Sequence, residues 1–257
     1  MTLWKESENT MSKTFVLIHG TWHGGWAWQD VVGYLSAKGH RAHAPTLAGH
    51  GPEAERAGIT HRDCVASVVT YIQERKLVDV ILVGHSFGGT VVQKVVEELS
   101  GQIARAVFLD ALILQDQQCV FDVLPEVFLE ALKPTGNGSP APANPDNTMP
   151  PAPWETWRDN FIQDATESMA RSTWERLSPE PGQVNLDCLD LKRFYPLTIP
   201  RSFIYCRQDR AMPPGYFHPG MSSRLGACKL VEVDGSHEVM FTRPAELADK
   251  IVEASWE

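Results

Sequence analysis

Apolar residues along the chain fall into short runs separated by stretches with helical spacing. Phe15–Ile18 is a β-rich run closed by His19-Gly20, and Arg41–Ala44 is a weaker one. Val80–Val83 and Ala106–Leu109 read as two further strands, and Ser202–Cys206 and Leu230–Val233 as the last two. Within Thr60–Lys76, Val65, Val68, Val69 and Ile72 recur at helical spacing, and Thr60 and Asp63 are placed as a capping box. Gly88–Leu99 carries Val91, Val92, Val95, Val96 and Leu99 on one side, which predicts a buried helix despite its β-branched residues. A last helix is expected near Pro244–Ala254. This alternation predicts an α/β fold, a mostly parallel six-stranded sheet with helices on both faces.

The alternation stops between residues 112 and 197, which divides the chain into a core (12–111 and 198–257) and an insertion. The centre of the insertion, KPTGNGSPAPANPDNTMPPAPW, holds seven of the eighteen prolines and reads as an irregular surface loop. Amphipathic pieces flank it, around Phe121–Leu132 and Trp154–Leu177. An insertion between late strands of a parallel sheet sits at their carboxyl ends, where ligands bind in open α/β sheets. Its length and aromatic content predict a helical cap over a pocket.

Composition narrows the class. With 257 residues, 43% hydrophobic and 21% charged, the chain is long enough for one well-packed domain and too apolar for a disordered one. A net charge of −9 argues against a nucleic-acid partner. No stretch approaches the roughly eighteen apolar residues of a membrane span, so no membrane partner is expected. The start, MTLWKESENT, lacks the apolar core of a secretory signal, and Met11 opens a second plausible start, so residues 1–11 are expected to be a flexible extension. Five cysteines without a CxxC pair read as reduced thiols of a cytoplasmic protein, with zinc unexpected. No metal or cofactor is called for.

The sharpest chemical signal is Gly84-His85-Ser86-Phe87-Gly88, a G-x-S-x-G pattern between a β-run and a helix. A serine on such a turn adopts a strained backbone, and glycines on either side let neighbouring segments approach. A serine hydroxyl needs a base, and the base an orienting acid. Of nine histidines, His237 lies in a loop after a late strand, whereas His19, His23, His40, His43, His50, His61, His85 and His218 lack the setting or fall too early. Asp209 follows the strand SFIYC and precedes His237, giving the order Ser…Asp…His. Asp110, at the end of AVFLD, competes for the role, and Asp234 is too near His237 along the loop. An oxyanion site needs two backbone N–H donors. Phe87 is one candidate, and Thr21, in the loop His19-Gly20-Thr21-Trp22-His23-Gly24-Gly25-Trp26, is the other. His19 and His23 are four apart, but the glycines around them argue against the helix a metal pair would need.

These residues together resemble the α/β-hydrolase fold, and more closely its plant-type methylesterase and hydroxynitrile lyase branch, which has bacterial members. FVLIHGTWHGGWAW, VILVGHSFGG, AVFLDAL, IYCRQDRAMP and GSHEVMF carry the resemblance, which spans nearly the whole chain from Phe15 and is looser in the cap. It implies Ser86, Asp209 and His237 as catalytic residues, and Thr21 and Phe87 as oxyanion donors. Two departures stand out. The lyases carry Thr where this chain has Gly20, and Lys where it has Glu238, whose charge would repel cyanide. Both point to a serine carboxylesterase acting on small or medium apolar or aromatic esters, with Gly20, Trp22, Phe87 and Met240 expected at the pocket. A cofactor-independent dioxygenase of heteroaromatic rings and a ligand-binding receptor with a vestigial triad share the fold and stay open. Trp22, Trp26 and Trp28 near the oxyanion loop, and Trp154, Trp157 and Trp174 in the insertion, are expected to face each other across the pocket.

Overall fold

Six strands pair side by side in a sheet, all parallel, in the order β2-β1-β3-β4-β7-β8. They are β1 (Thr14–Ile18), β2 (Arg41–His43), β3 (Val80–His85), β4 (Ile103–Leu109), β7 (Arg201–Cys206) and β8 (Lys229–Val233). The computed structural model describes residues 12–126 and 148–256. The expected N-terminal extension, much of the Phe121–Leu132 piece and most of the proline-rich run therefore lie outside the described residues. Helices α1 (Gln29–Ala37), α2 (His61–Glu74), α3 (Gly88–Glu98), α4 (Glu167–Trp174) and α5 (Pro244–Ala254) complete the main architecture. The expected Thr60 capping box is formed, with Thr60 and Asp63 satisfying each other's backbone N–H.

The continuous apolar strands feed two cores, one on each face of the sheet. Val16, Ile18, Leu82, Ala106 and Phe108 pack with Val65, Val68, Val91 and Val95 of α2 and α3. Phe15, Leu17, Ile81, Val83, Val107 and Leu109 pack with Val31 and Leu35 of α1 and Leu247 and Ile251 of α5. Adjacent residues point to opposite faces, so a strand buried on both sides must be apolar throughout. Among the described residues no helix is long and apolar enough to cross a membrane.

The insertion lies between β4 and β7. Its ends, including Leu112–Leu114, Leu191 and Phe194, join the core on the α2/α3 face. Its middle builds a separate cluster of Ala152, Trp157, Phe161, Ile162 and Ala170, against which Trp22 and Phe241 pack. A two-residue ladder, β5 (Thr148–Met149) with β6 (Glu180–Pro181), ties the two sides of that middle together. The chain steps outward from β1 to β2 and back to β3, so β1 and β3 flank the point where the strand order reverses. Ligands bind at the carboxyl end of such a switch point.

Candidate active site

Register brings the first two parts of the site together. Ile18 of β1 pairs with Gly84 of β3, so His19-Gly20 and His85-Ser86 leave the sheet side by side. Ser86 sits at φ +52°, the strained left-handed turn expected of a nucleophile elbow. Two glycines make the turn possible. A Cβ on Gly84 would lie 2.7 Å from the Gly88 carbonyl oxygen, and one on Gly88 would lie 2.6 Å from that of His19. Helix α3 can therefore begin against the end of β1 only without side chains at these points. The Ser86 N–H donates to the Leu109 carbonyl, and the Ser86 carbonyl accepts from Gly89 and Leu112, which fixes the elbow from both sides.

The loop after β8 delivers His237, whose side chain is 2% exposed, and the loop after β7 delivers Asp209. His237 Nδ1 and Asp209 Oδ2 are 2.6 Å apart. The His237 ring stacks on Phe217, meets Phe161 edge-on and lies 4.6 Å from the His85 ring. Burial disfavours the imidazolium, but the Asp209 carboxylate outweighs it, and the His237 pKa is pushed up to about 9. Burial likewise opposes the charge on Asp209, yet His237 and hydrogen bonds hold its pKa below the usual carboxylate value. The Ala211 N–H donates to the other Asp209 oxygen at 2.7 Å.

Asp110, the rival acid, is wholly buried and does not take the place on His237 Nδ1. The Cys206 N–H donates to its Oδ2 at 3.0 Å. Burial first, and the neighbouring Asp209 charge second, raise its pKa well above the ordinary range and keep it neutral. A carboxyl oxygen of Asp110 lies within 4.8 Å of one of Asp209.

The loop His19–Gly25 is built largely by its own polar groups. His19 Nε2 accepts from the Leu47 N–H, and the ring nitrogens Nδ1 of His19 and His23 bond to the Gly20 and Thr21 carbonyls. Burial lowers both histidine pKa values, that of His23 to about 3, so both rings are neutral. These two histidines thus shape the loop. Among the described residues, neither the Thr21 nor the Phe87 N–H donates to a protein acceptor. A Cβ on Gly20 would fall 3.0 Å from Ser86 Cβ and from His85 Nδ1, so glycine keeps the loop close to the serine.

Glu238 is not the charged group that its position in the sequence suggests. It is buried, with Oε2 3.4 Å from His23 Nε2, and burial pushes its pKa up to about 8. At neutral pH it is uncharged and cannot repel an anion. What remains of the contrast with the lyases is that no cation stands there. Met240 and Trp28, expected near the pocket, are buried in the core with Val233 and Leu247. Trp22 and Trp26 do meet the insertion: Trp22 packs edge-on against Phe161 at 5.7 Å, and His23 between them packs against Trp157. Phe161 and Phe241, which stacks on Trp26, complete this aromatic wall.

Two groups of potential metal donors, Asp110–Asp209–His237 and His85–His237–Glu238, overlap the site. The Asp209–His237 hydrogen bond and the Glu238–His23 contact already engage their central members. A third, Cys119–Asp122–Cys188, lies in the end segments of the insertion.

A family model described as the alpha/beta hydrolase family matches residues 15–250. The chain belongs to this family. Among alpha/beta hydrolase relatives, the carbendazim hydrolyzing esterase of Nocardioides sp. (strain SG-4G) is 30% identical over 242 residues, 92% of this chain and 97% of that protein. Methylesterase 1 of Arabidopsis thaliana is 26% identical over 95% of this chain and 96% of its own length. A solved structure from a Paenibacillus species superposes with a TM-score of 0.87 and is 36% identical, covering 95% of this chain and 100% of that one. It is described as an extracellular alpha/beta-hydrolase sharing structural and functional homology with tobacco salicylic acid binding protein 2.

Proposed function

We propose that this alpha/beta hydrolase is a serine carboxylesterase working through an acyl-enzyme on small or medium apolar or aromatic esters. The observation that carries the reading is one convergence. A strained Ser86, a His237 hydrogen-bonded to Asp209, and two N–H groups without protein acceptors each follow the carboxyl end of β1, β3, β7 or β8, which supports a common site. Ser86 Oγ attacks the ester carbonyl carbon, and His237 takes its proton. The oxyanion is stabilised by the Thr21 and Phe87 N–H groups in a site where little water competes. Collapse expels the alcohol, which takes the proton from His237, and water then repeats the steps to release the acid. Asp209 holds the imidazole in the tautomer that presents Nε2, and stabilises its positive form.

The insertion acts in this scheme as a cap. Trp22, whose buried indole N–H has no protein acceptor, forms with Phe161 and Trp157 an aromatic wall that selects the acyl group. The relatives named above, an esterase and a methylesterase, support ester hydrolysis. Initial rates with 4-nitrophenyl acetate and butyrate test it: the wild type turns both over and Ser86→Ala neither. Oxygen uptake that survives Ser86→Ala but not His237→Ala would instead reveal the dioxygenase. The cytoplasmic reading belongs to this proposal and rests on the cysteine pattern. Since the Paenibacillus relative is described as extracellular, cell fractionation is its test.

A further inference from the structure

Trp22 is the residue after the proposed oxyanion donor Thr21, and it occupies the left-handed region at φ +68°, unusual for a bulky side chain. Such a conformation persists only where its surroundings over-determine it. Here both main-chain groups of Trp22 are taken by a single stretch of the insertion. Its N–H donates to Glu180 Oε2 at 3.0 Å, and its carbonyl accepts from the Ser178 N–H, also at 3.0 Å.

That stretch is itself fixed from three directions. Glu180 pairs with Met149 in the β5–β6 ladder, Arg56 Nε donates to the Pro179 carbonyl, and the Gly51 N–H donates to Ser178 Oγ. The Glu180 carboxyl is wholly buried. Its Oε1 accepts from Asn185 at 3.4 Å, and the unpartnered Nε2 of His50 faces Oε2, the oxygen that holds Trp22, at 3.8 Å. The His50 ring in turn stacks on Phe87, the other proposed donor, and meets His19 edge-on. A carboxyl buried at such cost to its hydration needs a specific hydrogen-bonding task.

We propose that Glu180 is a positioning residue for the oxyanion site, so that the insertion completes the site's geometry as well as covering it. The inference rests on the serine esterase reading. Glu180 fixes the Thr21–Trp22 peptide, which leaves the preceding N–H, that of Thr21, aimed at the place where negative charge develops. Loss of the acceptor lets the loop relax, and transition-state stabilisation falls while ground-state binding of the ester is retained.

The test compares Glu180→Met, close in length but with no acceptor, with Glu180→Gln, which keeps one. Glu180→Met is expected to lower kcat for 4-nitrophenyl butyrate about 10- to 100-fold with KM within about threefold, and Glu180→Gln to stay near wild type. Amide exchange in the peptide spanning residues 19–25 should quicken about tenfold or more in the Met variant alone. If Glu180→Met does not fold, Glu180→Asp, one methylene shorter, should give the same kcat loss. An active wild type with kcat and loop exchange unchanged in the variants overturns the positioning role and leaves the esterase standing. A wild type inert toward esters overturns both.

Discussion

Asp209 Oδ2 stands 2.6 Å from His237 Nδ1, and a carboxyl oxygen of the buried Asp110 lies within 4.8 Å of the same Asp209 carboxyl. The ends of two strands thus supply two acids with different tasks, one paired with the base, the other buried beside the first and pushed by that burial toward its neutral form. Asp209→Asn is expected to lower kcat by roughly three to four orders of magnitude, because the imidazole loses both its tautomer and its counter-charge. Asp110→Asn keeps a neutral donor facing Asp209 and is expected within about tenfold of wild type. Steady-state kinetics of the two variants decide the matter, since the reverse ranking would make Asp110 the acid.

The raised pKa of His237 sets a pH dependence with a definite sign. The base works as neutral imidazole, and its pKa is pushed up to about 9, so activity is lost as pH falls through that value. The ascending limb of kcat/KM should therefore lie at alkaline pH, above the ordinary range of a histidine near 6.5. Above about 8, Glu238 ionises and its charge helps to keep the imidazole protonated. Glu238→Gln removes that charge and is expected to move the limb to lower pH, as Asp209→Asn should do more strongly. A limb below pH 7 in the wild type would contradict this assignment.

Two glycines of the scaffold should respond oppositely to a methyl group. A Cβ on Gly88 would press on the His19 and Ile18 carbonyl oxygens at 2.6 and 2.8 Å, and neither strand end can yield. Gly88→Ala is expected to cost about 1–3 kcal/mol and to lower Tm by several degrees. Gly33, inside α1, has nothing within 4 Å of its would-be Cβ. Gly33→Ala should stabilise by up to about 1 kcal/mol through helix propensity. Calorimetry of both variants checks the pair.

The six strands, the α2 capping box and the Gly84–Gly88 turn were legible because each is written in neighbouring residues. A buried parallel strand must be a continuous apolar run, and a helix crossing a strand end must present glycine. The pairing of Asp209 with His237 was legible from their places after strands. The extent of helix α1 was not, because it buries only Val31 and Leu35 and so has too thin an apolar stripe. The neutral Asp110, the buried Glu238–His23 pair and the hold of Glu180 on Trp22 left no local trace either. They join positions far apart in the chain, and only folding decides which acid faces which histidine. Trp28 and Met240 illustrate the same limit from the apolar side, since an apolar residue beside a strand end can face pocket or core with equal local logic.

An acyl-enzyme on Ser86 is the intermediate on which the esterase reading stands, and mass spectrometry of a quenched reaction detects it. On mixing with 4-nitrophenyl butyrate, a burst of nitrophenolate close to one equivalent per site is expected, accompanied by a butyryl adduct that maps to the peptide containing Ser86. A fluorophosphonate should label the same residue and abolish turnover. Turnover with no burst and no adduct, or an adduct on any other side chain, would contradict the account.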